Sequence, residues 1–526
     1  MCQVTQVIKV PLQLNSNNLG KLIFQWLDHI FNLVFGAKLN PLCHLGALGF
    51  LLFWIIVISG IYLYTMLDTS VAGAYQSIND LSLKQRYLGG LLRSLHHYAA
   101  DSFIVVMVIH LIREWVFGHY QGFRRFSWLT GVPLILFSFA CGIGGFWISW
   151  DQLGQFSAQA TAEWLDAIPL FASPLTRNFL SINTVSDRLF SLFVFIHLGL
   201  PLLLLFGLWF HIQRISFANI FPPRTLSASI LATLFALALL SPAQSHPPAD
   251  LAFIPTTLTI DWILLFSHPL MYVTSPVFLW GLLVSILAIL LLLPFLPRRN
   301  VPPIAKVDPS NCNGCRRCFN DCPYAAITML SHPHHRIAKQ MAMVDPDLCA
   351  SCGICVGACP SSTPFRSVAE LVTGIDLPHS PITHLRAQLQ KSLAHTEKAP
   401  RIVVFGCDHG VRVDTLRDPD ICAFSLTCIG MLPPSFIEYA LRDGASAVLI
   451  SGCQSTACEF RLGQRWTENR ILGTREPAFR NSAFHVNKIQ VSWANVGEEE
   501  TLRAAIEELK KNIGFFEKFI PPSEIT

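Results

Sequence analysis

Six apolar runs in the first 300 residues constrain the fold of this chain more than any other feature of its sequence. Each is close to the length of about 20 residues that an α-helix needs to cross a hydrocarbon core of about 30 Å. After residue 300, acidic and basic residues mix with apolar ones as in water-soluble domains. The sequence therefore predicts a helical membrane part followed by a soluble part. The runs are residues 43–66, 95–117, 128–149, 188–212, 226–242 and 274–297.

The charges around these runs predict how the chain is oriented. Residues 20–36, GKLIFQWLDHIFNLVFG, have the pattern of an amphipathic helix on a membrane surface. Basic residues flank alternate loops, which the positive-inside rule places in the cytoplasm. The fewer basic residues of the opposite side are Lys84, Arg86 and Arg93. An even number of spans then returns the chain to the cytoplasm, so we expect a multi-pass protein of a bacterial inner membrane with residues 300–526 in the cytoplasm. The flanking residues are Lys21, Lys38, Arg113, Arg124, Arg125, Arg214, Arg224, Arg298 and Arg299.

Histidines occur at matched intervals in two of the runs. His96 and His110 are 14 residues apart in the second run, and His197 and His211 are 14 apart in the fourth. A step of 14 returns to within roughly 40° of the starting helix face and rises about 21 Å, whereas His97 falls on nearly the opposite face. A single such histidine is most often a hydrogen-bonded core residue. Two matched pairs instead favour two stacked hemes with bis-histidine ligation, because ionisable groups inside a membrane are costly and usually functional.

Glycines repeat the same interval on two other runs. Gly46 and Gly60 are 14 apart in the first run, and Gly131 and Gly145 are 14 apart in the third. Paired glycines alone are common in membrane helices. In register with the histidines, they predict the positions where a flat macrocycle approaches the backbone.

These features resemble cytochrome b of the quinol-oxidising cytochrome bc complexes, over about residues 20–300. The resemblance implies that His96 and His197 bind one b heme near the outer membrane face, and that His110 and His211 bind a second near the inner face. It also implies that Arg93 lies near a heme propionate, that quinone binds in the bilayer, and that the cytochrome b part forms a homodimer. Arg113 is expected near the other propionates. The matching segments are the glycine pairs, RSLH ending at His96, HLIR beginning at His110, GFWISWDQLGQFSAQATAEWLDAIP at 145–169 and IHLGLP at 196–201.

The chain departs from that family at the outer quinol site. The family has Pro-Glu-Trp-Tyr there, whereas this chain has IDWI at 260–263. Asp261 either replaces the proton-accepting glutamate or is a solvated loop residue. The sequence has no Rieske iron–sulfur signature, so bifurcated quinol oxidation is not expected. Cys43 resembles the cysteine that tethers an extra heme in chloroplast-type relatives, but its offset from Gly46 differs by one residue; a third heme there is an alternative to two.

Cysteines dominate the chemistry of the soluble part. Thirteen of the 16 cysteines follow residue 311, in a region where disulfides are not expected, which favours metal binding. CNGCRRCFNDCP at 312–323 and CASCGICVGACP at 349–360 are two copies of C-x2-C-x2-C-x3-C-P. In such runs three thiolates bind one cubane and the fourth reaches the other. Zinc is the alternative for an isolated CxxC pair rather than for two full copies.

The doubled motif resembles the bacterial two-cluster ferredoxin. The resemblance implies two [4Fe–4S] clusters with four cysteine ligands each. The first set is Cys312, Cys315, Cys318 and Cys359. The second set is Cys322, Cys349, Cys352 and Cys355.

The last 126 residues read as an α/β domain. RIVVFGC at 401–407 and ASAVLISGC at 445–453 are apolar strands that end on cysteine, and FIEYALRDG and ETLRAAIEELKKNIGFF are amphipathic helices. Residues 400–475 resemble the delta subunit of methyl-viologen-reducing hydrogenase through FGC, the cysteine in TCIGMLPPSF and SGCQSTACEF. The resemblance implies a [2Fe–2S] cluster, although Gly410 stands where the family has a further cysteine. Cys422 is an additional candidate, and buried free thiols are the alternative. The implied ligands are Cys407, Cys428, Cys453 and Cys458.

Together these parts predict a multi-domain protein with an α-helical membrane bundle of six helices, an α+β two-cluster ferredoxin and an α/β iron–sulfur domain. The sequence has no Gly-rich dinucleotide loop after a strand, so the two-electron substrate should bind another polypeptide. We expect a membrane electron-transfer subunit that connects the quinone pool with a cytoplasmic flavoprotein using NAD(P)H. A formate dehydrogenase or hydrogenase module as partner, or a redox-sensing anchor without turnover, are the alternatives. The net charge of +4 is unclustered and gives no indication of nucleic-acid binding. The expected divisions are 1–42, 43–299, 300–380, a linker at 381–398 and 399–526.

Overall fold

A computed structural model describes most of the chain, in two compact units. One unit comprises Asn15–Arg214 and Ala218–Leu296, and the other is built mainly from Pro297–Thr526. The division falls close to residue 300, where the composition changes. Arg214, Arg298 and Arg299 lie outside the described residues. These are 16–168, 180, 184–213, 219–253, 257–297, 303–334, 337–359, 371–395, 401–416, 418–455, 457–479 and 488–519.

The membrane unit is helical in the residues that the structure describes. Its longer helices coincide with the apolar runs, and short 3-10 turns precede α2 at Pro41–His44 and α5 at Gly122–Arg124. A π-helical turn at Arg86–Gly90 leads into α4. The helices are α1 Ser16–Phe35, α2 Leu45–Met66, α3 Ala74–Leu83, α4 Leu91–Val116, α5 Arg125–Ser149, α6 Gln152–Asp166, α7 Asp187–Gln213, α8 Arg224–Leu240, α9 Ser267–Val273 and α10 Pro276–Leu292.

Five of these segments are long and apolar enough to cross a membrane, by length and composition. The expected run 226–242 forms α8, which has only 17 residues and spans about 26 Å. At its start Phe221 packs on Phe50 with ring centres 5.2 Å apart, near the beginning of α2. At its end the Ser241 carbonyl accepts a hydrogen bond of 2.5 Å from Tyr98, near the beginning of α4. Because α2 and α4 begin at opposite ends of the bundle, α8 runs from one end to the other.

Two helix pairs form the centre of this unit: α2 packs against α4, and α5 packs against α7. Leu52, Phe53, Leu95 and Phe103 are buried between the first pair. Many outward side chains, such as Ile58 and Phe195, are apolar and exposed, as expected for lipid-facing positions. Amphipathic α1 lies at the end of the bundle where α4 finishes, since Asp28 of α1 binds Arg113 of α4. The core therefore positions the histidine-bearing helices α4 and α7 against the glycine-bearing helices α2 and α5.

The cysteine-rich unit begins with two small antiparallel pairs. β1 pairs with β4 and β2 pairs with β3, and a short cysteine-bearing helix stands in each half. This arrangement is the expected α+β form of a two-cluster ferredoxin. The elements are β1 Lys306–Val307, α11 Arg317–Asp321, β2 Ile327–Ser331, β3 Gln340–Val344, α12 Ile354–Gly357 and β4 Ile375–Asp376.

A parallel four-stranded sheet forms the rest of this unit, in the order β6-β5-β7-β8. The sequence predicts β5, β7, α14 and α16 close to where they occur, and it did not anticipate β6 or β8. A further 3-10 turn at Ile429–Met431 follows β6. The elements are α13 Ile382–His395, β5 Ile402–Cys407, β6 Ile421–Leu426, α14 Ser435–Arg442, β7 Ala447–Gly452, α15 Gly463–Ile471, β8 Ile489–Trp493 and α16 Glu499–Phe519.

The segment expected to be a polar linker, 381–398, contains α13 instead. Ile382, Leu389 and Leu393 of this helix are buried in the core of the cysteine-rich unit. Each buried side chain of this size stabilises the fold by about 1.5–3 kcal/mol. The polar residues that suggest a linker occupy the outer face of the helix. The buried residues of α13 lie in one core together with residues of the ferredoxin-like and α/β parts.

Candidate cofactor sites

His96 of α4 and His197 of α7 face each other inside the membrane unit. Their ring centres are 6.4 Å apart. The Nδ1 atom of His96 lies 3.0 Å from the Ile56 carbonyl, and that of His197 lies 3.0 Å from the Cys141 carbonyl. These carbonyls accept hydrogen bonds from Nδ1, which leaves Nε2 of each ring as a metal ligand.

The second pair, His110 and His211, lies one interval further along the same two helices. The rings are close enough to interact electrostatically. The Nδ1 atom of His211 lies 3.1 Å from the Thr130 hydroxyl, and that of His110 lies 3.9 Å from a Glu114 oxygen. Each ring of both pairs thus has a polar group at or near its Nδ1 atom.

Each of the four spaced glycines faces one of the four histidines. A methyl group at Gly60 would lie 3.0 Å from Cε1 of His96, and one at Gly145 would lie 3.0 Å from Cε1 of His197. At the second histidine pair, a methyl group at Gly131 would lie 3.1 Å from Cε1 of His211, and one at Gly46 would lie 3.8 Å from Cε1 of His110. A side chain at Gly60, Gly145 or Gly131 would crowd its imidazole, whereas a methyl group at Gly46 would make an ordinary contact with His110.

This arrangement fits a heme. An imidazole nitrogen lies about 2 Å from a bound metal, and the ring centre lies about 1 Å further away. A single iron between two coaxial imidazoles therefore needs about 6 Å between ring centres, close to the separation of His96 and His197.

The two arginines expected near propionates lie at opposite ends of α4. Arg93 donates to the hydroxyls of Ser82 and Ser245, each at 2.9 Å. Arg113 forms two hydrogen bonds with Asp28, at 3.0 and 2.9 Å. Cys43 lies in the 3-10 turn that precedes α2, and its role as a heme tether stays a prediction.

His97 lies outside the His96–His197 pair, as its helical position predicts, and it takes part in a cluster that the sequence did not reveal. Its Nε2 atom lies 3.7 Å from Asp101, and Asp261 completes a group whose ligand atoms all lie within 4.8 Å of one another. Oδ1 of Asp261 accepts hydrogen bonds from the backbone N–H groups of Ile263 and Leu264, at 2.9 and 3.0 Å. The other oxygen, Oδ2, is buried and forms no hydrogen bond among the described residues. Asp261 is therefore held in place rather than freely solvated.

The eight cysteines of the doubled motif line two separate cavities. Cys312, Cys315, Cys318 and Cys359 line one of them. The second is lined by Cys322, Cys349, Cys352 and Cys355. The structure thus brings together the two sets that the ferredoxin resemblance implied, each with its fourth cysteine from the other copy.

The two cysteine loops have the same backbone. Gly314 and Ser351 occupy equivalent positions with φ of +67° and +54°, as do Arg316 and Gly353 with φ of +64° and +76°. Residues other than glycine rarely adopt this left-handed backbone conformation. Its occurrence at the same positions of both loops indicates a loop shaped for a bound group. A methyl group on Gly314 would also meet the Gln340 carbonyl at 2.3 Å.

Losing the protons of these thiols is unfavourable unless a cation is bound. Burial, reinforced by the neighbouring cysteines, raises the pKa of Cys318 to about 12 and raises the pKa of Cys355 well above its usual value. Thiolates packed this closely are unstable by themselves, and a metal compensates their charge. The donor set therefore fits iron–sulfur clusters.

A third group of cysteines gathers at the carboxyl edge of the parallel sheet, where such folds place their sites. The neighbouring Cys453 thiol lowers the pKa of Cys407 and Cys458, and these two contacts in turn raise the pKa of Cys453, so the three sulfur atoms lie within interaction distance of one another. Burial raises the pKa of Cys428, which also interacts with Cys407 and Cys458. All four implied ligands thus lie together.

The two other positions noted in this domain differ from that group. A methyl group at Gly410 would lie 2.9 Å from the Cys453 backbone nitrogen, so the fold has no room for a side chain there. Cys422 pairs with Val403 within the sheet and is buried.

Comparison with known families agrees with this architecture. Residues 30–217 match the family model described as cytochrome b/b6/petB. Residues 311–363 match the 4Fe-4S dicluster domain, and residues 400–515 match the delta subunit of methyl-viologen-reducing hydrogenase. Among solved structures, the chain is similar to one described as "Hyperthermophilic respiratory Complex III", with 21% sequence identity and a TM-score of 0.40. That match covers 48% of this chain and 75% of the other.

The protein is therefore a multi-pass membrane protein of electron transport. It combines a cytochrome b-type helical domain with a 4Fe-4S dicluster domain and a hydrogenase delta-subunit-like α/β domain. The first implies heme, the second implies iron–sulfur clusters, and the combination implies a redox role.

Proposed function

We propose that this protein is the membrane electron-transfer subunit of a quinone oxidoreductase. In this proposal His96 with His197 and His110 with His211 hold two b-type hemes, which supply reversible one-electron transfer across the bilayer. The two cavities of the dicluster domain hold [4Fe–4S] clusters, and the third cysteine group holds a [2Fe–2S] cluster. Electrons pass along these centres between quinone in the membrane and a soluble partner.

The observation that carries this proposal is the one-to-one placement of four glycines against four histidines. Each pair combines an imidazole that is hydrogen-bonded or close to a polar group at Nδ1 with a helix face that has no side chain. A structural core would be better filled by apolar side chains, because packing at such positions stabilises the fold. The chain instead places four imidazoles, whose common property is metal ligation, against these glycines.

The orientation proposed from the sequence has support at the ends of the bundle. Arg113 lies beside α1 through its contact with Asp28, and Arg124 lies 3.5 Å from Glu114 at the same end. Arg125 lies over Phe295 at that end as well. This basic end corresponds to the cytoplasmic face under the positive-inside rule, so the His110 and His211 site is the inner one.

The soluble partner proposed is a cytoplasmic flavoprotein that uses NAD(P)H. It is supported by the hydrogenase delta-subunit-like domain and by the lack of a dinucleotide loop in the sequence. The homodimer of the membrane part remains a prediction.

The complex isolated from native membranes should show heme reduction by NADH or NADPH in the absence of oxygen. Added quinone should reverse that reduction, because the hemes connect the partner to the quinone pool. The b-heme absorption bands follow both steps, and dithionite gives the fully reduced reference. Hemes that dithionite reduces but neither nucleotide reduces would exclude this partner and direct the search to formate, hydrogen or ferredoxin.

We further propose that Asp261 accepts a proton from bound quinol. Its Oδ1 is fixed by two backbone N–H groups, while Oδ2 is buried within the cluster of His97 and Asp101. A carboxylate held in this way is positioned to act as a base.

Replacing Asp261 with asparagine should lower quinol-linked electron transfer by about 100-fold while heme content stays unchanged. Asparagine keeps the oxygen that accepts from the backbone but cannot take up a proton, and a general base contributes about 10²–10⁴-fold. Stopped-flow reduction of the hemes by quinol measures the effect. Asp250→Asn is the matched control, because Asp250 accepts a similar backbone hydrogen bond from Ala252 in the same connection. Equal rates in the two variants would rule out this role for Asp261.

A further inference from the structure

Arg470 of α15 is a fully buried cation in the cysteine-rich unit, with a side chain that is 1% exposed. Its Nη2 atom donates to Oδ2 of Asp321 at 2.5 Å and to the Ile354 carbonyl at 3.4 Å. Its Nη1 atom donates to the Gly430 carbonyl at 2.9 Å. One guanidinium thus joins three segments that are far apart in the sequence.

Each acceptor lies next to a proposed cluster ligand. Asp321 directly precedes Cys322, and Ile354 directly precedes Cys355, so both belong to the second [4Fe–4S] site. Gly430 follows Cys428 of the third site by two residues. Arg470 therefore contacts the cysteine-bearing turns of two different cofactor sites.

Those turns meet backbone to backbone. A methyl group on Gly357 would lie 2.3 Å from the Gly430 carbonyl, and one on Gly430 would lie 2.9 Å from Cα of Gly463. A methyl group on Gly463 would lie 2.2 Å from the sulfur of Cys428. Because Gly357 and Gly430 carry no side chains, the two turns approach closely, with the Ile354 side chain and the Arg470 guanidinium packed beside them.

A second arginine makes this contact positively charged. Arg475 binds Oδ1 of Asp321 at 2.6 Å and lies over the Trp466 ring at 3.4 Å, while the Trp466 indole donates to the Asp321 carbonyl at 3.1 Å. Two guanidiniums therefore share one carboxylate, and one positive charge is in excess. Nearby positive charge favours the more negative, reduced form of an iron–sulfur group.

We propose that Arg470 is a positioning residue that joins the second [4Fe–4S] site to the third cysteine site as a direct electron-transfer junction, and that it favours reduction at both. This inference rests on the cluster assignments of the proposed function. A single electron leaves one iron–sulfur group and enters the other across the glycine contact. The first is oxidised, the second is reduced, and neither a proton nor a covalent bond changes place. The order of the soluble centres is then the Cys312 site, the Cys322 site and the Cys407 site.

The test is a redox titration of the full-length Arg470→Gln protein, followed by electron paramagnetic resonance. Loss of the cation should make reduction at both sites about tenfold less favourable, which is about 59 mV for one electron. The magnetic interaction between the two reduced centres should weaken as well. Arg470→Lys, which keeps the charge, should leave both midpoint potentials close to those of the wild type.

Arg386→Gln is the matched control, because Arg386 also pairs with a carboxylate, Asp443, and lies over an aromatic ring, Tyr439, in the same unit. If Arg470→Gln fails to fold, Arg475→Gln removes the excess charge while the Arg470–Asp321 pair remains, and it should lower both potentials. Potentials and magnetic interaction equal to those of the Arg386→Gln control would overturn the junction alone. A wild-type protein without a third iron–sulfur signal would instead contradict the proposed cluster, and the junction with it.

Discussion

The His211→Ala protein is expected to contain one b heme instead of two and to lose electron transfer between quinone and the soluble centres. In the proposed assignment His211 would hold the inner heme together with His110, and its Nδ1 atom lies 3.1 Å from the Thr130 hydroxyl. Removing only an outer partner of a metal ligand typically costs about 10–100-fold in affinity or activity. Loss of the ligand itself should therefore reduce the rate by at least about 100-fold.

The measurement combines heme quantification with an optical redox titration. The wild type should titrate as two components, and the variant should retain only the component of the His96 and His197 site. His268→Ala is the control, because His268 is also a buried histidine of the membrane unit and interacts with the Thr161 hydroxyl at 2.9 Å. If His211→Ala retained both hemes and full quinone-linked activity, the histidine pairs would be structural, as for a protein that only anchors its partner.

The geometry behind this prediction could be read from the sequence because helix periodicity is regular. A step of 14 residues fixes both the face and the height of a residue, so His96 and His110, and Gly46 and Gly60, could be placed without a structure. The two cysteine sets of the doubled motif could also be predicted from the sequence, since the spacing of the cysteines determines which of them can reach one cluster.

Contacts between distant segments could not be read in this way. Nothing near Asp101 in the sequence indicates that Asp261 meets it, because 160 residues separate the two. The same holds for Arg470, which looks like an ordinary charged residue on a helix until the fold buries it against Asp321. Both features depend on tertiary packing, which local patterns do not specify.

Two local interpretations also failed for physical reasons. The polar residues of 381–398 suggested a linker, but a helix needs only one apolar face to pack, and α13 provides it with Leu385, Leu389 and Leu393. The sequence does not predict the strand β6, ICAFSL, because this segment is short and follows a turn rich in charged residues. β6 is buried because it pairs with β5, and its own sequence has no strong alternation of apolar and polar residues.

The Cys428→Ser protein is expected to lose the third iron–sulfur signal while it keeps the signals of the dicluster domain. Cys428 is buried, and its sulfur lies so close to Gly463 that a methyl group on that glycine would be 2.2 Å from it. A serine oxygen is a poor substitute for a thiolate at iron, so the group should not assemble. Non-heme iron content should fall by about two atoms of ten if the three sites hold two [4Fe–4S] and one [2Fe–2S] cluster.

Cys422→Ser separates this ligand set from its alternative. Cys422 is buried as Cys428 is, but it lies within β6, where it pairs with Val403 in the sheet. Retention of the third signal in Cys422→Ser and its loss in Cys428→Ser would assign the cluster to the group at the sheet edge. The opposite result would move the site into the sheet, and equal iron content in both variants and the wild type would identify these cysteines as buried thiols. Because Cys428 also lies beside the turn that Arg470 contacts, its loss should isolate the dicluster domain from the soluble partner, and nucleotide-driven heme reduction should stop even though both hemes remain.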